Sequence, residues 1–191
     1  MIGIINYGAG NLLSVKNSLD YLDIPNKIIS KPQEIRKCDK IILPGVGAFG
    51  AAIDKLNKLG FSEKIKEFAS LKKPILGVCL GMQLLFEESE EYGIHKGLGL
   101  MKGRVLPFSK KVKKLPIPHV GWNTIHKNRA FSILKEIEDQ SSFYFVHSFY
   151  CSPKDLKIII AQTSYGVNFA SIVGKDNILG CQFHPEKSQA S

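Results

Sequence analysis

No apolar run in this 191-residue sequence approaches the roughly 18 residues that a membrane span requires, and the opening MIGIINYGAGN holds neither a basic leader nor a cleavage pattern. Membrane-spanning and secreted classes are set aside, and the expectation is a cytoplasmic protein with no membrane contact. The four cysteines, Cys38, Cys79, Cys151 and Cys181, are scattered and include no C-x-x-C pair. Such spacing argues against zinc ligation and against a disulfide framework, so free thiols and no metal or cofactor are expected. Repeats and linker-like stretches are also missing, which predicts one domain over residues 1–191.

What is present fits a folded domain. Hydrophobic residues make up 44% and charged residues 23%, which excludes disordered and collagen-like classes. A chain of this length buries roughly 70% of the surface that its unfolded form exposes. The net charge is +9, and part of the excess is local: Lys102, Arg104, Lys110, Lys111, Lys113 and Lys114. A single-strand nucleic-acid groove interleaves cations with aromatic platforms, and this stretch has only Phe108. It reads as a solvated loop or a face for a charged protein partner, and no nucleic acid is expected.

The first half alternates strand and helix. Ile2–Tyr7 is an apolar run of strand length followed by the turn GAGN, and Leu12, Val15, Leu19 and Leu22 then recur at helical spacing. Asn11 is placed to cap that helix. Lys40–Pro44 is a second buried strand, AAIDKLNKL a helix closed by Gly60, and Ser62–Leu71 another helix before the strand ILGVC. Strands buried on both faces and alternating with helices predict a mostly parallel sheet, an α/β fold with its ligand crevice beyond the strands' carboxyl ends. Beyond Gly97 the pattern turns strand-rich, with SFYFVHSFYC read as one strand and a brief helix near Phe131–Ile137.

Three glycine-rich turns end predicted strands at that edge. Neither GAGN nor PGVGAFG carries a nucleotide-binding fingerprint. Gly45 and Gly47 flank Val46, however, and let a backbone N–H reach the crevice, the raw material of an oxyanion hole. In GVCLG the glycines Gly77 and Gly81 lie two residues either side of Cys79, the pattern of a sharp strand-to-helix elbow presenting a nucleophile. A helix beginning near Gly81 favours an anion at Cys79 by about 0.3 to 1 kcal/mol, so a base is still required. His184 ends an apolar strand and is followed by Pro185 and Glu186, an imidazole with a carboxylate to orient it. The acidic run Glu87, Glu88, Glu90 and Glu91 reads as the solvated end of the elbow helix.

PGVGAF, GVCLGMQLL, PHVGWN, YFVHSFY and GCQFHPEKS together resemble the class I (triad) glutamine amidotransferases, and more narrowly the glutaminase subunits of imidazole glycerol phosphate synthases. The resemblance spans Ile2 to about Ser188. It implies a flavodoxin-like three-layer sandwich and hydrolysis of glutamine to glutamate and ammonia through a cysteine thioester. It further implies a heterodimer in which ammonia passes to a cyclase subunit of histidine biosynthesis. The roles implied are Cys79, His184 and Glu186 as the catalytic triad, and Leu80 with Val46 and Gly47 as the oxyanion hole. Gln83, one helical turn after Cys79, and His147, Ser148 and Phe149 are implied to hold the substrate. Asn11, Trp122 and Lys187 match positions on the face that meets the cyclase. His147 and His119 read as packed structural imidazoles, and His95 and His126 as surface residues. The alternative is a paralogous glutaminase feeding another synthase, such as a sugar-amidating enzyme of surface glycans. The family continues with a further short helix where this sequence stops at HPEKSQAS, so Gln189 to Ser191 are read as shortened or altered.

Overall fold

A computed structural model gives the structure of residues 1–188; the altered end expected at Gln189 to Ser191 lies outside the described residues. Along the first half run β1 (Ile2–Ile5), α1 (Leu12–Tyr21), β2 (Asn26–Ile29), β3 (Lys40–Leu43), α2 (Phe49–Lys58), α3 (Phe61–Ser70), β4 (Ile75–Val78) and α4 (Leu80–Leu84). There follow β5 (Phe86–Ser89), β6 (His95–Lys96), β7 (Met101–Pro107), β8 (His119–Thr124), β9 (His126–Lys127), β10 (Ser142–His147) and β11 (Phe149–Pro153). The last strands are β12 (Ile159–Ser164), β13 (Asn168–Lys175) and β14 (Ile178–Cys181), and a 3-10 turn over Pro185–Lys187 comes after them.

The main sheet has the order β2-β1-β3-β4-β14-β13-β12-β9. Its first five strands are parallel, and β13, β12 and β9 run antiparallel to their neighbours. Alternation along β1 sends Ile5 to one face and Ile4 to the other, where each joins a different apolar cluster. On the Ile5 face α2 buries Phe49, Ile53 and Leu56, and α3 buries Phe61, Ile65 and Phe68. Each such side chain contributes roughly 1.5 to 3 kcal/mol of transfer free energy. The opposite cluster holds Val15 of α1, Phe145 of β10 and Phe108.

Local chemistry accounts for the helix ends. The Asn11 side chain accepts from the Ser14 N–H at 3.4 Å and opens α1. Ala48 cannot cap α2 in that way, and the Glu91 carboxylate accepts from the Phe49 N–H instead. Gly60, at φ 77°, separates α2 from α3.

Three expectations are corrected. The elbow helix α4 is little more than one turn long, because residues 98–101 donate their N–H groups to the carbonyls of Leu84, Leu85 and Phe86. The acidic run therefore lies on and just after β5, not on a helix. The stretch read as one strand over SFYFVHSFYC breaks at Ser148: β10 pairs with β8 in a two-stranded ribbon, whereas β11 joins a four-stranded sheet, β11-β7-β5-β6. Near Phe131–Ile137 there is only a 3-10 turn, Ser132–Leu134.

The acidic and basic runs meet across the small sheet. Glu88 pairs with Arg104 at 2.6 Å, and Glu90 pairs with Lys110. Part of the basic excess is thus balanced within the chain.

Candidate active site

The elbow is shaped by sterics. Cys79, between β4 and α4, has φ 54° and ψ −111°, a conformation that costs a non-glycine residue about 1 to 3 kcal/mol. A Cβ on Gly77 would lie 2.7 Å from the Gly81 and Met82 backbone, and one on Gly81 only 1.7 Å from the Leu43 carbonyl oxygen. The two glycines therefore let the elbow fold onto itself and onto β3.

The facing loop has a fixed root and an open tip. The Tyr7 hydroxyl donates to the Pro44 carbonyl at 2.9 Å, and burial, followed by the nearby Cys79, pushes that phenol's pKa up. A Cβ on Gly45 would lie 2.7 Å from the same hydroxyl and 2.9 Å from Leu80 Cβ. Gly47, at φ 97°, has nothing within 4 Å of where its Cβ would be, and Val46 is exposed.

His184 follows β14, with its backbone N–H bonded to the Tyr144 carbonyl. Its Nδ1 lies 2.8 Å from Glu186 Oε1, and both side chains are buried. The imidazole Nε2 and the second Glu186 oxygen have no hydrogen-bond partner among the described residues. Burial lowers the basicity of this imidazole, but Cys79 and Glu186 beside it outweigh burial and hold its pKa at about 9. Chiefly through burial, the other three thiols, Cys38, Cys151 and Cys181, are pushed up.

These parts converge on a crevice of about 430 Å³, lined by Val46, Gly47, Cys79, Leu80, Gln83, Glu91, Pro118, Val146, His147, Ser148, Phe149, His184 and Lys187. The Gln83 side-chain amide donates to the Phe149 carbonyl at 3.0 Å and to Gln182 Oε1 at 3.1 Å. Gln182 in turn directs its Nε2 at the Cys79 sulfur, 3.7 Å away.

The family model described as "Glutamine amidotransferase class-I" matches residues 4–191. The chain belongs to the class I glutamine amidotransferases. It is 49% identical over 188 residues to the imidazole glycerol phosphate synthase subunit HisH of Desulfitobacterium hafniense, covering 98% of this chain and 88% of the relative. The same-named subunit of Bacillus subtilis is 44% identical over 191 residues, covering 98% and 90%. Among solved structures, PurLQS from Thermotoga maritima superposes with TM-score 0.76 at 19% identity, covering 97% of this chain and 87% of that one. The glutaminase domain of Trypanosoma brucei CTPS superposes with TM-score 0.71 at 18% identity, covering 99% and 87%. These superpositions support the shared amidotransferase fold.

Every triad, oxyanion-hole and substrate position expected from the sequence of this amidotransferase lines the crevice, except Glu186, which stands behind His184. Of the expected interface residues, Lys187 reaches the crevice and lies 5.8 Å over the Tyr144 ring, against whose edge Trp122 packs at 6.2 Å. Trp122 is 52% exposed, not the core residue that a lone tryptophan usually is. Asn11 opens α1, which packs beside the Pro185–Lys187 turn. His119 and His147 are buried, His126 is exposed, and His95 is half-buried against Gly50 rather than on the surface. Sequence reasoning missed Gln182, although strand alternation two residues before His184 pointed to it. It also missed Glu91 and Tyr7 as neighbours of the crevice, and no local pattern marks either.

Proposed function

We infer that this chain is the glutaminase subunit of an imidazole glycerol phosphate synthase, releasing ammonia from glutamine for a cyclase partner in histidine biosynthesis. The observation that carries this reading is the 44 to 49% identity across 98% of the chain to subunits bearing that name.

In the mechanism, Cys79 attacks the side-chain amide carbon of glutamine and His184 accepts the thiol proton. The tetrahedral oxyanion takes hydrogen bonds from the Leu80 N–H and from the Val46–Gly47 segment, one such donor typically contributing about 100- to 1,000-fold in rate. His184 then protonates the leaving nitrogen, ammonia departs, and a thioester remains. Water, deprotonated by His184, attacks the thioester to give glutamate and restore the thiol. Glu186 holds the imidazole in orientation and stabilises its protonated form. The backbone of His147, Ser148 and Phe149 receives the α-carboxylate. Gln83 supports that wall through the Phe149 carbonyl. Glu91, the acidic residue among those lining the crevice, supplies counter-charge for the α-ammonium. The exposed Trp122 and Lys187, with Asn11, form the face toward the cyclase, and that partner sets the conformation of the open loop tip at Gly47.

Two measurements test this. Cys79→Ala abolishes ammonia release, a loss on the order of 1,000-fold or more; retained turnover refutes the glutaminase reading. Mixing the chain with a histidine-pathway cyclase and its nucleotide substrate accelerates glutamine hydrolysis. No acceleration there, with acceleration by a sugar-amidating synthase, assigns the ammonia to the other acceptor.

A further inference from the structure

Two buried imidazoles beside the crevice have no part in that chemistry. His119 on β8 and His147 on β10 are direct partners in the ribbon register, 3% and 6% exposed. Their proton positions follow from the groups at either end. The Phe149 carbonyl only accepts, so His147 Nδ1, 2.8 Å away, carries hydrogen and donates to it. His147 Nε2 is then an acceptor, and the Nδ1–H of His119 donates to it across 3.0 Å. His119 Nε2 is an acceptor in turn and receives the Asn123 side-chain amide at 3.2 Å. The orientation of Asn123 is itself determined: its Nδ2 also donates to the Ser164 carbonyl, and its Oδ1 accepts from the Thr124 N–H at 2.8 Å. One tautomer of each ring satisfies the whole series.

The series ends where the backbone most needs support. Ser148 lies between β10 and β11, strands of different sheets, so no single ladder carries through it. The Phe108 N–H holds the Ser148 carbonyl, while the Phe149 carbonyl is held by His147 from the ribbon and by Gln83 from the elbow helix. Rings pack around the pair: His119 stacks on Tyr165 with centroids 4.0 Å apart, and Phe108 lies 5.1 Å from His147. Water therefore offers no substitute for a missing partner.

We propose that His147 is a positioning residue for glutamine, setting the Ser148–Phe149 backbone that receives the α-carboxylate, and that His119 and Asn123 act through it by fixing its tautomer. This rests on the glutaminase reading above.

The test is steady-state glutamine hydrolysis by the chain assembled with its cyclase partner. His147→Gln reaches toward His119 but loses the bond to Phe149, and it raises KM about tenfold, the equivalent of one buried hydrogen bond. His147→Asn retains a donor near the Nδ1 position and recovers most of that loss. Equal KM values for the two variants, or a fall confined to kcat, overturn the proposal. Imidazole ¹⁵N resonances of the parent protein supply a measurement that needs no substitution. Protons on Nδ1 of both rings are expected, and an Nε2–H tautomer at His147 overturns the proposal. Absence of parent turnover would instead mark failure of the glutaminase reading itself.

Discussion

The two walls of the crevice are built by different physics. On the elbow side the backbone does the work: Gly77 and Gly81 remove Cβ atoms that would strike backbone 2.7 and 1.7 Å away, and Cys79 is held in a strained turn. On the opposite side side chains do it: His147, His119, Asn123 and Gln83 hold the junction of two sheets through hydrogen bonds. Hard overlap admits no compromise, whereas a hydrogen-bonded wall weakens by one bond at a time.

The largest expected difference is in stability. Gly81→Ala has no room beside the Leu43 carbonyl and lowers the unfolding free energy by about 3 kcal/mol or more, whereas His147→Asn costs about 1 kcal/mol. Denaturant unfolding of both variants checks this, and equal losses would erase the distinction between the walls.

A second difference appears in pH. His184 is raised from 6.5 to about 9 in the folded protein, so its contribution to stability is complete below about pH 6.5 and is lost as pH rises through about 9. Burial lowers His119 to about 4 and His147 to about 3, so their neutral forms stabilise the fold above about pH 6.5. That contribution is lost as pH falls toward those values. His147 also feels His119 and His184, so the acid limb belongs to the cluster. Unfolding curves across pH are expected to lose their alkaline limb in His184→Ala and part of their acid limb in His119→Asn. Identical profiles for the two variants would merge the walls into one electrostatic unit.

The smallest effect belongs to the outer sheet. Lys110→Ala removes an exposed partner of Glu90 and shifts stability by no more than about 0.5 kcal/mol. A larger shift in thermal or denaturant unfolding would extend the rigid part of the molecule to β5 and β7.

The same contrast decides what the sequence made legible. The elbow was readable because the glycines that its steric demands select fall within five residues, GVCLG, even though the demand on Gly81 comes from the Leu43 carbonyl of β3. Strands β1, β3 and β4 were readable as apolar runs bounded by turns, and α1 to α3 from helical spacing, whereas the parallel edge strand β2 over Asn26–Ile29 was not read. The Ser148–Phe149 junction was hidden: its support pairs His147 with His119, 28 positions away, and Phe149 with Gln83, 66 positions away. The acidic run misled for a similar reason. In Phe86–Ser89 the first and last residues are buried, a pattern that suits a helix turn as well as a strand. What ends α4 is a set of donors from residues 98–101, which the local pattern does not contain.

Gly45 and Gly47 stand two residues apart in one loop, and the space around them makes them opposites for protein engineering. At Gly45 Tyr7 and Leu80 occupy the place of any side chain, so the position has no alphabet beyond glycine. At Gly47 space is free and the restriction is only one of handedness, φ 97° being unfavourable for L-residues. A D-alanine introduced there by chemical ligation removes the penalty of handedness. The chirality of one residue thus becomes an adjustable variable at the mouth of the crevice, with the loop's root untouched.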